Sequence, residues 1–188
     1  MARFEDARSC QVFDSVVAYI RCHKPRLVVL ENVTGLLTVN HGKDFQKTVL
    51  GQLNDAGSYN VDWEVLNTRE HGVPQNRPRV YIVCIRKDVD QGNFTWPKPL
   101  DATRMPGLDR FLDSRKEPGK LKPEDFKPEG GHALRTFEEK MSKLRREEKQ
   151  PFREPYVFDV ARTPRYSSVM HNRCPCLLRT SSTLGITL

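Results

Sequence analysis

Leu27-Val28-Val29-Leu30-Glu31-Asn32-Val33 is a run of four apolar residues that ends on an acid and an amide. A short continuous apolar run reads as a strand buried on both faces. Its neighbours decide the kind of sheet. Upstream, Val12, Phe13, Val16, Val17 and Ile20 recur at helical spacing, predicting an amphipathic helix that ends near His23, before Lys24-Pro25. Downstream, residues 43–56 place Phe45, Val49, Leu50 and Leu53 on one helical face, with Gly57 positioned to cap it. Val61, Trp63 and Val65 alternate as a strand, and Val80 to Ile85 forms another apolar strand. The order α-β-α-β-β describes half of an open α/β sheet whose last two strands form a wide hairpin. Three strands and two helices leave too much apolar surface to be comfortable alone.

After Asp88 the pattern changes. Pro97, Pro99, Pro106, Pro118, Pro123 and Pro128 break any periodicity, so residues 88–188 are expected to be loop-rich. The exception is a helix over 136–149. Thr136-Phe137-Glu138-Glu139 has the form of a capping box, and Phe137, Met141 and Leu144 make a narrow apolar stripe on an otherwise charged, solvated element. The organisation expected is therefore 1–87 and 88–188.

The 188 residues carry 31 Lys and Arg against 24 Asp and Glu, a formal net charge of +7. The excess is spread along the chain, so a nucleic-acid partner is permitted and not demanded. No apolar run approaches the roughly 20 residues of a membrane helix, and the N-terminal residues show no apolar signal segment. Cys10, Cys22, Cys84, Cys174 and Cys176 are odd in number and scattered, which predicts free thiols in a reducing compartment. Cys174-Pro175-Cys176 lacks a second ligand pair, so no metal is expected. A membrane protein, a secreted disulfide scaffold and a wholly disordered tail are excluded.

Two constellations carry chemistry. Glu31 and Asn32 stand at the C-terminal end of the apolar strand, where open α/β sheets place ligand sites; a polar strand end that merely caps a turn is the commoner outcome. Gly72-Val73-Pro74-Gln75-Asn76-Arg77-Pro78-Arg79 leads directly into the last strand. Arg77 and Arg79 alternate, and two guanidiniums with the Gln75 amide suit phosphate or carbonyl oxygens. A solvated strand entrance with surface ion pairs is the alternative. No Gly-x-Gly-x-x-Gly turn follows any strand.

Taken in order and spacing, the stretch from Asp6 to Ile85 resembles the cytosine-C5 DNA methyltransferase family. Asp6-Ala7-Arg8-Ser9 with Phe13 is similar to the family's motif V and Glu31-Asn32-Val33 to motif VI. Gly57-Ser58-Tyr59, Leu66-Asn67 and Gly72-Val73-Pro74-Gln75-x-Arg77-x-Arg79 are similar to motifs VII and VIII. Arg173-Cys174-Pro175-Cys176-Leu177 resembles the segment before motif IX. The Pro-Cys-Gln nucleophile and the cofactor glycines of the family do not occur in these residues. Pro175-Cys176 lies at the wrong place in the order and is followed by Leu177, so Cys176 is a poor substitute.

The resemblance implies the C-terminal half of a Rossmann-like S-adenosylmethionine methyltransferase sheet, followed over 88–188 by a target-recognition region. Phe94, Trp96, Tyr156, Phe158 and Tyr166 there would stack on bases or fill a small core. It implies methyl transfer from S-adenosylmethionine to C5 of a flipped cytosine, with cofactor-binding residues not assignable. Glu31 would be the acid at cytosine N3, kept protonated by a buried strand end. Asn32 would hold the base edge or its loop, and Arg79 would contact O2. Arg77 would orient Glu31 or a phosphate, and Gln75 would brace the loop. The implied partners are DNA and either a complete methyltransferase or a missing N-terminal half, with no membrane. The chain alone is expected to be inactive, in the nucleus of a eukaryote or otherwise the cytoplasm. A non-catalytic methyltransferase-like partner module and a tRNA cytosine-C5 methyltransferase fragment are the alternatives.

Overall fold

A computed structural model describes residues 7–111, 131–151, 154–160, 167–176 and 184–187, with backbone only at 7–10, 102 and 184–187. The chain divides into two compact units, Met1–Asn67 with Pro78–Lys98, and Thr68–Arg77 with Pro99–Leu188.

The first unit is built on three antiparallel strands, β1 (Leu27–Val33), β2 (Tyr59–Asn67) and β3 (Pro78–Arg86), in the order β1-β3-β2. The expected hairpin of the last two strands is present, with Trp63 opposite Ile82. Side chains alternate across a sheet, so the register sorts the residues into two faces. Val28, Cys84 and Val61 share one face with Leu30, Ile82 and Trp63. That face is covered by α1 (Ala7–His23) and by a helical segment wound as a π-helix over Phe45–Leu50 and as α2 over Gly51–Asp55. Val17, Ile20, Phe45, Val49 and Leu53 from these helices bury Val80, Ile82 and Cys84. Phe45 meets Trp63 edge-on, with ring centroids 4.9 Å apart. Gly57 ends the segment with φ +76°, a conformation that favours glycine.

Strand β1 departs from expectation. The apolar run is not buried on both faces: Leu27, Val29 and Val33 are 56%, 57% and 52% exposed. Only Val28 and Leu30 point into the core. The reason is positional, because β1 is an edge strand among the described residues and is bonded only to β3. The α/β architecture is otherwise as predicted.

The boundary at 87/88 does not coincide with either unit. After β3 the chain stays on the second face of the first sheet, where Asn60 donates to Asp90 (2.6 Å) and Trp96 Nε1 to Asp62 (2.9 Å). Phe94 and Trp96 pack edge-on, with centroids 5.1 Å apart.

The second unit holds more order than a proline-rich reading allows. Strands β4 (Tyr156–Asp159), β5 (Ser168–His171) and β6 (Leu184–Thr187) form an antiparallel sheet in the order β5-β4-β6. Helix α3 (Gly131–Arg146) packs Phe137, Met141 and Leu144 against Tyr156, Phe158 and Val160. Thr136 is therefore not a cap. It lies inside the helix, 1% exposed, with its hydroxyl 3.1 Å from His132 Nδ1. The apolar stripe was legible, but it faces a sheet instead of solvent, which removes the helix from the solvated class. Tyr156 and Phe158 are core residues, whereas Tyr166 lies outside the described residues.

No helix among the described residues is long and apolar enough to cross a membrane. No described cluster of three His, Cys, Asp or Glu groups is arranged to hold a metal.

Phe45 is 2% exposed, so Phe45→Ala is expected to lower the unfolding free energy by about 3 kcal/mol in chemical denaturation. Burial pushes the Cys84 thiol up to about 11. An unfolded thiol ionises near its ordinary value while the folded one stays protonated, so stability falls as pH rises through that window. Denaturation series from pH 8 to 11 are expected to show this fall, and Cys84→Ala to make it shallower.

Candidate active site

Glu31 and Arg79 reach one another because of strand register. Val33 pairs with Arg79 and Glu31 with Tyr81 across β1 and β3, which puts Glu31 diagonally beside Arg79 on the face the helices do not cover. The Arg79 Nε lies 2.9 Å from Glu31 Oε1, and Arg79 Nη1 donates to the Pro78 carbonyl at 2.8 Å. The guanidinium is 11% exposed and the carboxylate 41%. A largely enclosed arginine thus orients a carboxylate that solvent still reaches. The buried strand end expected around Glu31 is not found: the side chain is 41% exposed, on a strand that is an edge among the described residues.

Asn32 is exposed on the opposite face of β1 from this pair, and its Oδ1 accepts from the Val33 backbone N–H at 2.8 Å. That bond ties the Asn32 side chain to the strand end. An open groove of about 530 Å³ lies between Val12, Phe13 and Val16 of α1 and Val29, Leu30, Glu31 and Asn32 of β1.

Gln75 and Arg77 belong to the second unit. The alternation expected to align Arg77 with Arg79 does not extend that far, since β3 begins at Pro78. In place of a strand, the chain from Gly72 to Arg77 forms a braced loop. Thr68 Oγ1 donates to the Gln75 carbonyl at 2.7 Å, and the Gln75 N–H donates to the Val73 carbonyl at 2.7 Å. The segment before Cys176 lies alongside: Cys174 N–H donates to Pro74 O at 2.6 Å, and Asn76 N–H to Cys174 O at 2.8 Å. This is a single parallel bridge between Gln75 and Cys174. Gln75 is held in the loop through its backbone. Arg77 Nη1 donates to Cys176 Sγ at 3.3 Å.

Sequence reasoning did not foresee the pairing of 172–176 with the 73–77 loop. The available signal was Cys174 preceding Pro175, a position biased towards extended backbone. Asn172 adds to the brace: at φ +52° its Oδ1 accepts from the Leu108 N–H at 2.8 Å.

With this geometry in hand, the chain can be set against known proteins. The family described as C-5 cytosine-specific DNA methylase matches residues 1–172. The type II methyltransferase M.HpaII of Haemophilus parainfluenzae is 39% identical over 115 residues, covering 61% of this chain and 30% of that protein. M.HhaI of Haemophilus parahaemolyticus is 34% identical over 100 residues, covering 52% of this chain and 29% of its own length. Among solved structures, the Entamoeba histolytica methyltransferase EhMeth aligns with a TM-score of 0.40 at 17% identity, over 61% of this chain and 34% of that one. An α/β unit with this motif order defines a methyltransferase-type chain. It belongs to the C-5 cytosine-specific DNA methylase family. The chain spans about 30% of the length of the curated relatives it matches.

Gly72 has φ +89°, and a Cβ there would lie 3.3 Å from Leu100 Cδ1. Gly72→Ala is therefore expected to cost about 1–2 kcal/mol, read as earlier thermal unfolding and faster proteolysis of the 68–77 loop.

Proposed function

We propose that these residues form the base-recognising part of a DNA (cytosine-5)-methyltransferase. The observation that supports this most is the Glu31–Arg79 pair at 2.9 Å, on the uncovered face and within reach of solvent. A flipped cytosine presents N3 and O2 side by side on its Watson–Crick edge. Glu31 would face N3, its carboxylate accepting from that nitrogen once N3 takes up a proton from solvent, and Arg79 would approach O2, so that negative charge developing on the ring during addition at C6 meets a cation already in place. The fixed salt bridge sets the orientation of the carboxyl before substrate arrives, which lowers the cost of ordering it later. Asn32 would keep the strand end in register, and the Gln75 loop would steady the chain entering β3.

S-adenosylmethionine is the methyl donor this reading requires. The described residues do not make a site for it: β1 runs directly into the 3-10 turn Thr34–Leu37, and no Gly-x-Gly-x-x-Gly turn follows a strand. In this reading the cofactor site and the Pro-Cys nucleophile come from polypeptide outside these 188 residues. The side of β1 left unpaired among the described residues, with its apolar groove, favours a continuation of the sheet as the partner. A strand added there would cover Val29 and Val33 and enclose Glu31. That supports a complementary methyltransferase segment over a free-standing binding module.

The test is methyl transfer from labelled S-adenosylmethionine to duplex DNA, by the chain alone and mixed with the N-terminal part of M.HpaII. The expected result is no transfer by the chain alone and transfer by the mixture. In the mixture, Glu31→Gln and Arg79→Ala should each lower the rate by about 100-fold or more, the scale of losing a charge-stabilising group. Undiminished transfer with Glu31→Gln would contradict the assigned role.

A further inference from the structure

An open groove of about 650 Å³ lies between the C-terminal half of α3 and strand β5, with Leu144, Tyr156 and Val169 among its apolar lining. Among the described residues β5 is an edge, bonded to β4 alone. The phase of that pairing decides which of its backbone groups are left over. The Asn172 N–H donates to the Pro155 carbonyl at 2.7 Å, and hydrogen-bonded positions in an antiparallel pair recur at every second residue. Met170 with Val157 and Ser168 with Asp159 are therefore bonded positions, so Val169 and His171 direct their N–H and C=O groups away from β4. The Tyr156 and His171 rings, with centroids 4.9 Å apart, fit a non-bonded position, where facing side chains stand closer. The charges beside this edge are equally uneven. Glu147 lies 3.8 Å from Lys143, and Glu154 is held by His171 Nε2 at 3.5 Å and by the Tyr156 hydroxyl at 3.3 Å. Lys140 and Lys149 also line the groove, on either side of Leu144 in the chain, and neither ammonium has a partner among the described residues.

We propose that this groove binds an extended acidic segment of a partner protein, which adds to the sheet as a strand along β5. The backbone of the added strand takes up the outward N–H and C=O groups of Val169 and His171. Side chains alternate along a strand, so every second one faces α3. An apolar side chain there covers Leu144 and Val169, and carboxylates at the flanking positions reach Lys140 and Lys149. Charge complementarity selects an acidic segment, because the two carboxylates of the groove are already engaged and two ammonium groups are not. Nucleic acid matches the groove less well. A phosphodiester chain offers acceptors only, which leaves the Val169 and His171 carbonyls without donors, and its charge would run past Glu147 and Glu154. This inference does not rest on methyl transfer.

The test titrates the 188-residue chain with a fluorescein-labelled peptide, Thr-Glu-Thr-Val-Thr-Glu-Thr, and with its counterpart carrying Lys in place of Glu. The acidic peptide is expected to bind at least about tenfold more tightly. Methylating alternate backbone nitrogens of the acidic peptide should weaken binding about tenfold or more in one phase and little in the other, because only one set of amides faces β5. These comparisons use the unmutated chain and so hold whether or not variants fold. Lys140→Glu combined with Lys149→Glu should reverse the preference in favour of the lysine peptide. In the complex, amide exchange at Val169 and His171 should slow. Absence of binding, equal binding of the two peptides, the same effect of methylation in both phases, or equal slowing at Val169 and His171 by a DNA duplex would overturn the proposal.

Discussion

Strand β3 is bonded on both sides, to β1 and to β2, and its Val80, Ile82 and Cys84 lie sealed beneath the helices at 0%, 2% and 1% exposure. Because side chains alternate, fixing those three inward fixes Arg79, Tyr81 and Val83 on the opposite face. A slip of one residue would bury the Arg79 guanidinium in an apolar core, at a cost no hydrogen bond there would offset. The antiparallel register with β1 then brings Glu31 to Arg79. The ion pair is a consequence of core packing and not its cause.

Much of this was legible from residue pattern. The helices over 7–23 and 43–55 and the strands around 27–33, 61–65 and 80–85 followed from periodicity, since each presents a long apolar face to one core. The face that carries Glu31 and Arg79 was less legible. Four consecutive apolar residues at 27–30 read as doubly buried, but burial depends on what lies beside a strand, and β1 has one bonded neighbour among the described residues. The same limit applies to α3, whose stripe of Phe137, Met141 and Leu144 predicted a surface helix. The sheet it covers comes from short strands such as Tyr156–Asp159 that carry little pattern of their own.

The candidate residues were named by motif order, and the structure distributes them in a way motif order does not contain. Glu31 and Arg79 meet through register, whereas Gln75 and Arg77 are held in the second unit by a segment about a hundred residues later, through Cys174 and Cys176. Long-range pairing of this kind has no local signature beyond an extended residue before a proline. Among the described residues the apolar groove and the Glu31 carboxylate share one exposed edge of β1.

The most direct test is a double-mutant cycle on folding stability with Glu31→Gln, Arg79→Gln and the double variant. Register-driven pairing between a mostly enclosed guanidinium and a half-exposed carboxylate predicts a coupling of about 0.5–1 kcal/mol. Strict additivity of the two single changes would contradict the account, because it would mean that β1 and β3 do not hold these side chains together.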